Sequence, residues 1–83
     1  MTINKRDAII DPTNGHRIDP LTNVDLTEAV ANGDNTALAR VEVAQLESML
    51  EDEPNNWYLK HSLKSAKKRF TKYFKRDRAA EAK

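Results

Sequence analysis

The stretch WYLKHSLKSAKKRFTKYFKRDR, residues 57–78, decides the fold. Leu59, Leu63, Ala66, Phe70 and Tyr73 recur at alternating steps of four and three, and Phe74 sits beside them. That spacing is a helical seam, sustained for about two heptads. Lys60, Lys64, Lys67, Lys68, Arg69, Lys72, Lys75 and Arg76 cover the rest of the circumference. Asp77 returns to the apolar side, so the seam is expected to end near Phe74. Residues 79–83 keep good helix propensity but have nothing apolar to bury, and the reading expects them to fray.

Working back from this helix, Glu53-Pro54-Asn55-Asn56 breaks the pattern. Proline cannot continue a helix interior but suits the first turn of the next one. Residues 36–52 then read as a second amphipathic helix, with Asp34, Asn35 and Thr36 as N-cap candidates. Leu38, Ala39, Val43, Leu46, Met49 and Leu50 share a wide apolar arc, while Arg40, Glu47 and Glu51 lie opposite. Glu42 falls inside the arc and is its one imperfection. A short break between two such helices makes an antiparallel hairpin, here spanning 34–78.

Upstream, residues 24–33 read as a short helix. Thr22-x-x-Asp25 and Asp25-x-x-Glu28 both resemble capping boxes, and Gly33 is the natural residue after a helix end. Residues 1–23 read as an extended arm with Asp-Pro turns. It holds a near-repeat, Ile10-Asp11-Pro12-Thr13-Asn14 and Ile18-Asp19-Pro20-Leu21-Thr22-Asn23. Proline presets a turn and the aspartate side chain caps it. Asn14-Gly15 suits a tight reversal, so Ile9-Ile10 and Arg17-Ile18 either pair as a short hairpin or lie in an extended segment with two turns. The fold class is therefore all-α: arm, short helix, then an antiparallel two-helix hairpin.

Charge divides the chain at the same boundary. Residues 1–56 hold four Lys/Arg against eleven Asp/Glu, a net of −7, and residues 57–83 hold ten against two, a net of +8. An acidic body ends in a basic helix. Packing the two hairpin helices together would let their flanking charges meet, although exposed pairs contribute only about 0–1 kcal/mol each.

At 83 residues there is room for one small domain. Chains this short bury little surface and usually lean on disulfides, a metal or a partner. No cysteine is present, and His16 and His61 stand far apart, so neither a cofactor nor a metal is expected. Association with a partner or a second copy is the remaining source of stability. No apolar run approaches the roughly 20 residues of a membrane span, and the start of the chain lacks a signal-peptide core. The expectation is a cytoplasmic protein, or one inside a virion.

Function reads as binding, not catalysis: no nucleophile motif and no Gly-rich phosphate loop is present. Three surfaces are candidates. The arm offers Asp11, Pro12, Asn14, Ile18, Asp19 and Pro20 as a peptide-like segment for a groove on a partner. Trp57 and Tyr58 lie outside the seam at the hairpin tip, where they either anchor an interface or cap the open end of the hairpin or pack under the arm. Lys64, Lys67, Lys68, Arg69, Lys72, Lys75 and Arg76 suit an acidic protein surface or, alternatively, nucleic acid. An acidic face at Glu47, Glu51 and Asp52 would serve if the protein were instead a decoy inhibitor of a nucleic-acid enzyme. The leading expectation is a small non-enzymatic assembly module that docks on a larger protein complex through arm and hairpin. In outline it resembles small scaffolding and accessory proteins of tailed phages, a likeness of architecture that rests on no motif.

Overall fold

The computed structural model describes the backbone of residues 6–81 and the side chains of residues 6–78. Two short strands, β1 (Ile9–Ile10) and β2 (Arg17–Ile18), precede three helices, α1 (Leu26–Asn32), α2 (Asn35–Asp52) and α3 (Trp57–Glu81). Helices dominate, and α2 and α3 pack against each other as the expected hairpin. In the arm, the hairpin alternative is the one formed. β1 and β2 run antiparallel with Ile9 opposite Ile18 and Ile10 opposite Arg17, and Ile18 also bridges to Asp25 on its other side.

The near-repeat in the sequence is a repeat in geometry. In the first loop the Asp11 N–H donates to the His16 carbonyl at 2.8 Å and Gly15 N–H donates back to the Asp11 carbonyl at 2.7 Å. In the second, the Asp19 N–H donates to the Val24 carbonyl at 2.9 Å and Asn23 N–H to the Asp19 carbonyl at 2.8 Å. Offsets are identical. The fifth residue of each loop has positive φ, 72° at Gly15 and 62° at Asn23, a conformation open mainly to Gly and Asn. Each aspartate then accepts from a nearby threonine. Asp11 Oδ1 takes the Thr13 N–H and hydroxyl at 2.9 and 2.6 Å, and Asp19 Oδ2 takes those of Thr22 at 2.9 and 2.7 Å.

Every helix start is capped by a side chain. Asp25 accepts from the Glu28 N–H at 2.9 Å, Asp34 from the Ala37 N–H at 3.1 Å and Asn56 from the Leu59 N–H at 3.2 Å. These bonds satisfy donors that have no partner inside the helix. Gly33, at φ 63°, ends α1 with left-handed geometry.

Helix α3 runs through Glu81, past the expected end at 78. Ala79, Ala80 and Glu81 are strong helix formers with no breaker among them, which accounts for the extension. Of the segment expected to fray, 79–81 are helical and 82–83 lie outside the described residues. Contact with α2 also reaches beyond Phe74, because the Thr36 hydroxyl at the start of α2 donates to Asp77. Asp77 is thus tied to the neighbouring helix although the apolar seam has stopped.

The core is thin. Among the described residues the buried apolar ones are all alanines, Ala29, Ala39 and Ala66, and Ala66 is fully inaccessible. The larger seam residues Leu59, Leu63, Phe70 and Tyr73 are half-buried. The cause is the layout: the molecule measures 47 × 37 × 14 Å, so the helices form one layer and each covers only one side of its neighbour. Its radius of gyration is 14.4 Å, against about 12 Å for a compact domain of this length.

Candidate binding surfaces

The arm lies against α2 through polar contacts. The Asp19 side chain is 1% exposed, the most buried polar group described. Its Oδ2 is held by Thr22, and its Oδ1 accepts from Gln45 Nε2 of α2 at 2.8 Å. The same Gln45 amide group donates to the Arg6 carbonyl at 3.0 Å. The Arg6 guanidinium in turn donates to Ser48 Oγ at 3.2 Å and to Asp52 Oδ2 at 2.9 Å. A buried carboxylate needs such partners, since leaving one unmet costs about 1–3 kcal/mol or more. Asp19, expected to meet a partner, is therefore taken up inside this chain. Asp52, expected on an acidic docking face, is occupied by Arg6.

Other arm residues are placed differently. Pro12 and Asn14 are exposed, and Asn14 Oδ1 accepts from the His16 N–H at 2.9 Å. Asp11, Ile18 and Pro20 are half-buried. His16 Nδ1 lies 2.7 Å from Asp25 Oδ2; the carboxylate can only accept, so Nδ1 carries the proton. The Glu28 backbone N–H and then this His16 contact hold the Asp25 carboxyl below its ordinary value of 3.8. The Thr13 hydroxyl and then its N–H do the same for Asp11.

Trp57 and Tyr58 open α3 at the hairpin tip, in edge-to-face contact with ring centroids 6.3 Å apart. They are 75% and 64% exposed. Neither is packed beneath the arm residues that the structure describes.

The outward side of α3 carries the third surface. With 3.6 residues per turn, the seam faces α2 and the opposite side presents Trp57, His61, Lys64, Lys68, Lys72 and Lys75 at steps of three or four. All six are exposed. Of the expected basic residues, Arg69 alone is drawn into an ion pair among the described residues, with Glu42 of α2. This pair also explains the imperfect apolar arc: Glu42 stands at the seam edge and reaches across it. Lys64, Lys67, Lys68, Lys72, Lys75 and Arg76 meet no carboxylate among the described residues. The acidic helix therefore does not neutralise the basic one. Glu47 and Glu51 are likewise exposed and unpaired among the described residues.

A groove of about 630 Å³ opens where the far end of α3 meets the start of α2, lined by Arg40, Phe70, Phe74, Asp77 and Arg78 among others. Phe70 and Phe74 stack at 5.8 Å between centroids, and the Arg78 guanidinium covers Phe74 at 5.8 Å. Among the described residues no group of three or more His, Cys, Asp or Glu could hold a metal ion, and no helix is long and apolar enough to cross a membrane.

The polar clasp formed by Arg6, Asp19, Gln45 and Ser48 had no signature in the sequence. Its hydrogen-bonded pairs lie 26 to 42 positions apart, and none belongs to a periodic pattern. The one hint was the near-repeat, which marks both aspartates alike and cannot say which is buried. No protein-family model, no curated protein and no solved structure matches this chain.

Proposed function

We propose that this chain is a small non-enzymatic binding module that docks on a larger anionic partner or assembly through the outward face of α3. One observation carries the reading: exposed Trp57 stands in line with Lys64, Lys68, Lys72 and Lys75, none of them paired with a carboxylate among the described residues. Lysines carry a strongly hydrated charge that folding alone does not require at this density, and an exposed Trp is the commonest interface anchor. The arm has a different task. Its Asp19 and Arg6 contacts brace α2, so docking falls to the helix. The flat shape and alanine core support the same reading, because a one-layer domain gains from burying a further face.

The test is capture from native lysate with the tagged chain, its Lys68→Glu/Lys72→Glu variant and its Glu47→Lys/Glu51→Lys variant. Loss of the captured material in the lysine variant, with retention in the glutamate variant, supports the α3 face. The reverse pattern would move the interface to α2 and sink the proposal.

A further inference from the structure

We infer that the outward face of α3 takes single-stranded nucleic acid, with phosphates along Lys64, Lys68, Lys72 and Lys75 and a base stacked on Trp57. The inference rests on the reading that this face is the docking surface, and it names the chemistry of the partner. Three features of the face point the same way.

The first is the shape of the charge. Four of the exposed cations, Lys64, Lys68, Lys72 and Lys75, form a row down the outermost side of α3, flanked by Lys60, Lys67 and Arg76, and from Trp57 to Lys75 the row runs about 27 Å along the helix. A nucleic-acid strand supplies its charges in a line, one per nucleotide, and each phosphate neutralised releases counterions.

The second is the residue type. The stripe is all lysine: Arg69 is turned toward Glu42 and Arg76 lies to the side. Lysine attracts phosphate as a point charge, whereas bidentate reading of base edges is work for arginine. The face is therefore suited to backbone binding with little sequence preference.

The third is Trp57. It heads the lysine row with most of its surface in water, so part of the indole is open to stacking, and Tyr58 stands nearly perpendicular to it. Base–aromatic stacking needs an unpaired base, which selects a single strand over a duplex.

The experiment titrates the full chain into fluorescein-labelled oligothymidine about 15 nucleotides long, matched to the site sizes of single-strand binders. Anisotropy and the fluorescence of Trp57, the sole tryptophan, are followed together. Labelled duplex DNA and labelled poly-L-glutamate are titrated in parallel. The expected result is binding to oligothymidine with quenching of Trp57 and a log–log salt slope near −3, from about −0.7 per phosphate over four lysines. Trp57→Ala should weaken that binding about 5- to 150-fold, one stacked base, and leave the salt slope unchanged. Lys68→Glu/Lys72→Glu should lower both affinity and slope. Poly-L-glutamate bound while oligothymidine is not would overturn the inference yet keep α3 as an anion-docking face. Duplex bound as tightly as the single strand, with no effect of Trp57→Ala, would also overturn it. No binding to any of the three, together with unchanged capture by the lysine variant, would remove the docking surface itself.

Discussion

Gln45 Nε2 donates to Asp19 Oδ1 at 2.8 Å, joining the middle of α2 to a carboxylate in the arm. One amide thus links two segments that are 26 positions apart in the chain. In a protein whose buried apolar residues are alanines, polar bonds of this kind decide where the arm lies. Replacing Gln45 with Ala removes the Oδ1 partner of a buried carboxylate and the donor to the Arg6 carbonyl. The expected loss is about 1–3 kcal/mol, a large share of the stability of so small a domain. Urea unfolding of Gln45→Ala measures it, and amide exchange at residues 17–24 should accelerate. A loss under about 0.5 kcal/mol, the floor for an ordinary hydrogen bond, would show that the clasp does not anchor the arm.

The twin loops offer a matched comparison. Gly15 and Asn23 occupy the same position in the two loops, with φ of 72° and 62°. A side chain at Gly15 would meet nothing within 4 Å, so Gly15→Ala isolates the backbone cost. That cost is about 1–2 kcal/mol for an L-residue in left-handed geometry. Asn23→Ala should cost less, since Asn already carries part of that strain, and Asn23→Gly should be neutral or slightly stabilising. Thermal melts of the three variants give the order; equal effects of Gly15→Ala and Asn23→Gly would contradict the shared geometry.

Acid should loosen the arm. Asp11 and Asp25 both have carboxyls held below 3.8 in the folded protein, by Thr13 and by Glu28 with His16 respectively. Below 3.8 the unfolded chain binds protons that the folded chain still resists, so stability falls as pH drops through that window. Above it, both forms are ionised and the contribution is fully present. Denaturation midpoints measured across pH 2 to 6 should therefore decline below about 4, and Asp25→Asn should flatten the decline. A variant that keeps the full acid slope would show that Asp25 takes no part.

Ala66 sits with no accessible surface in the seam of α3. Its smallness fits the close approach of α2 and α3. Ala66→Leu inserts three carbons where there is no room, and overpacking of this kind costs about 1–3 kcal/mol. By contrast, Arg69→Ala removes only an exposed ion pair with Glu42 and should cost about 0–1 kcal/mol. Side-by-side melts test the contrast. If Arg69→Ala proved the more damaging, charge and not packing would be aligning the hairpin.

The helices were legible because periodicity and caps are local. Leu59 to Tyr73 repeats at helical spacing, and Asp25 and Asp34, both cap candidates from the sequence, cap α1 and α2, whereas Asn56, read only as part of the break, caps α3. The arm was only half legible. Asp-Pro and Asn-Gly announce turns, but whether the flanking pairs of residues zip together depends on contacts from elsewhere, here those of β2 with α1. Burial of Asp19 and capture of Asp52 by Arg6 are products of tertiary contact between polar groups, for which no spacing rule exists. The unneutralised state of the α3 lysines was also hidden. Opposite net charges on two sequence segments suggested mutual pairing, whereas the one-layer packing directs most of the lysines away from α2.

That outward direction yields the last expectation. Lys68 and Lys72 touch no carboxylate among the described residues, so folding does not depend on their charge. Substitution at exposed sites of this kind normally shifts stability by less than about 0.5 kcal/mol. Lys68→Glu/Lys72→Glu should therefore melt close to the parent while failing in partner binding. Reversal turns the like-charged pairs Lys64–Lys68 and Lys72–Lys75 into opposite ones and leaves positions 68 and 72 alike, so the local electrostatic effects largely offset. A calorimetric melt set beside a binding titration separates the two effects. If the variant unfolded well below the parent, the lysines would belong to the fold after all, and the α3 face would lose its standing as a surface kept for something outside the molecule.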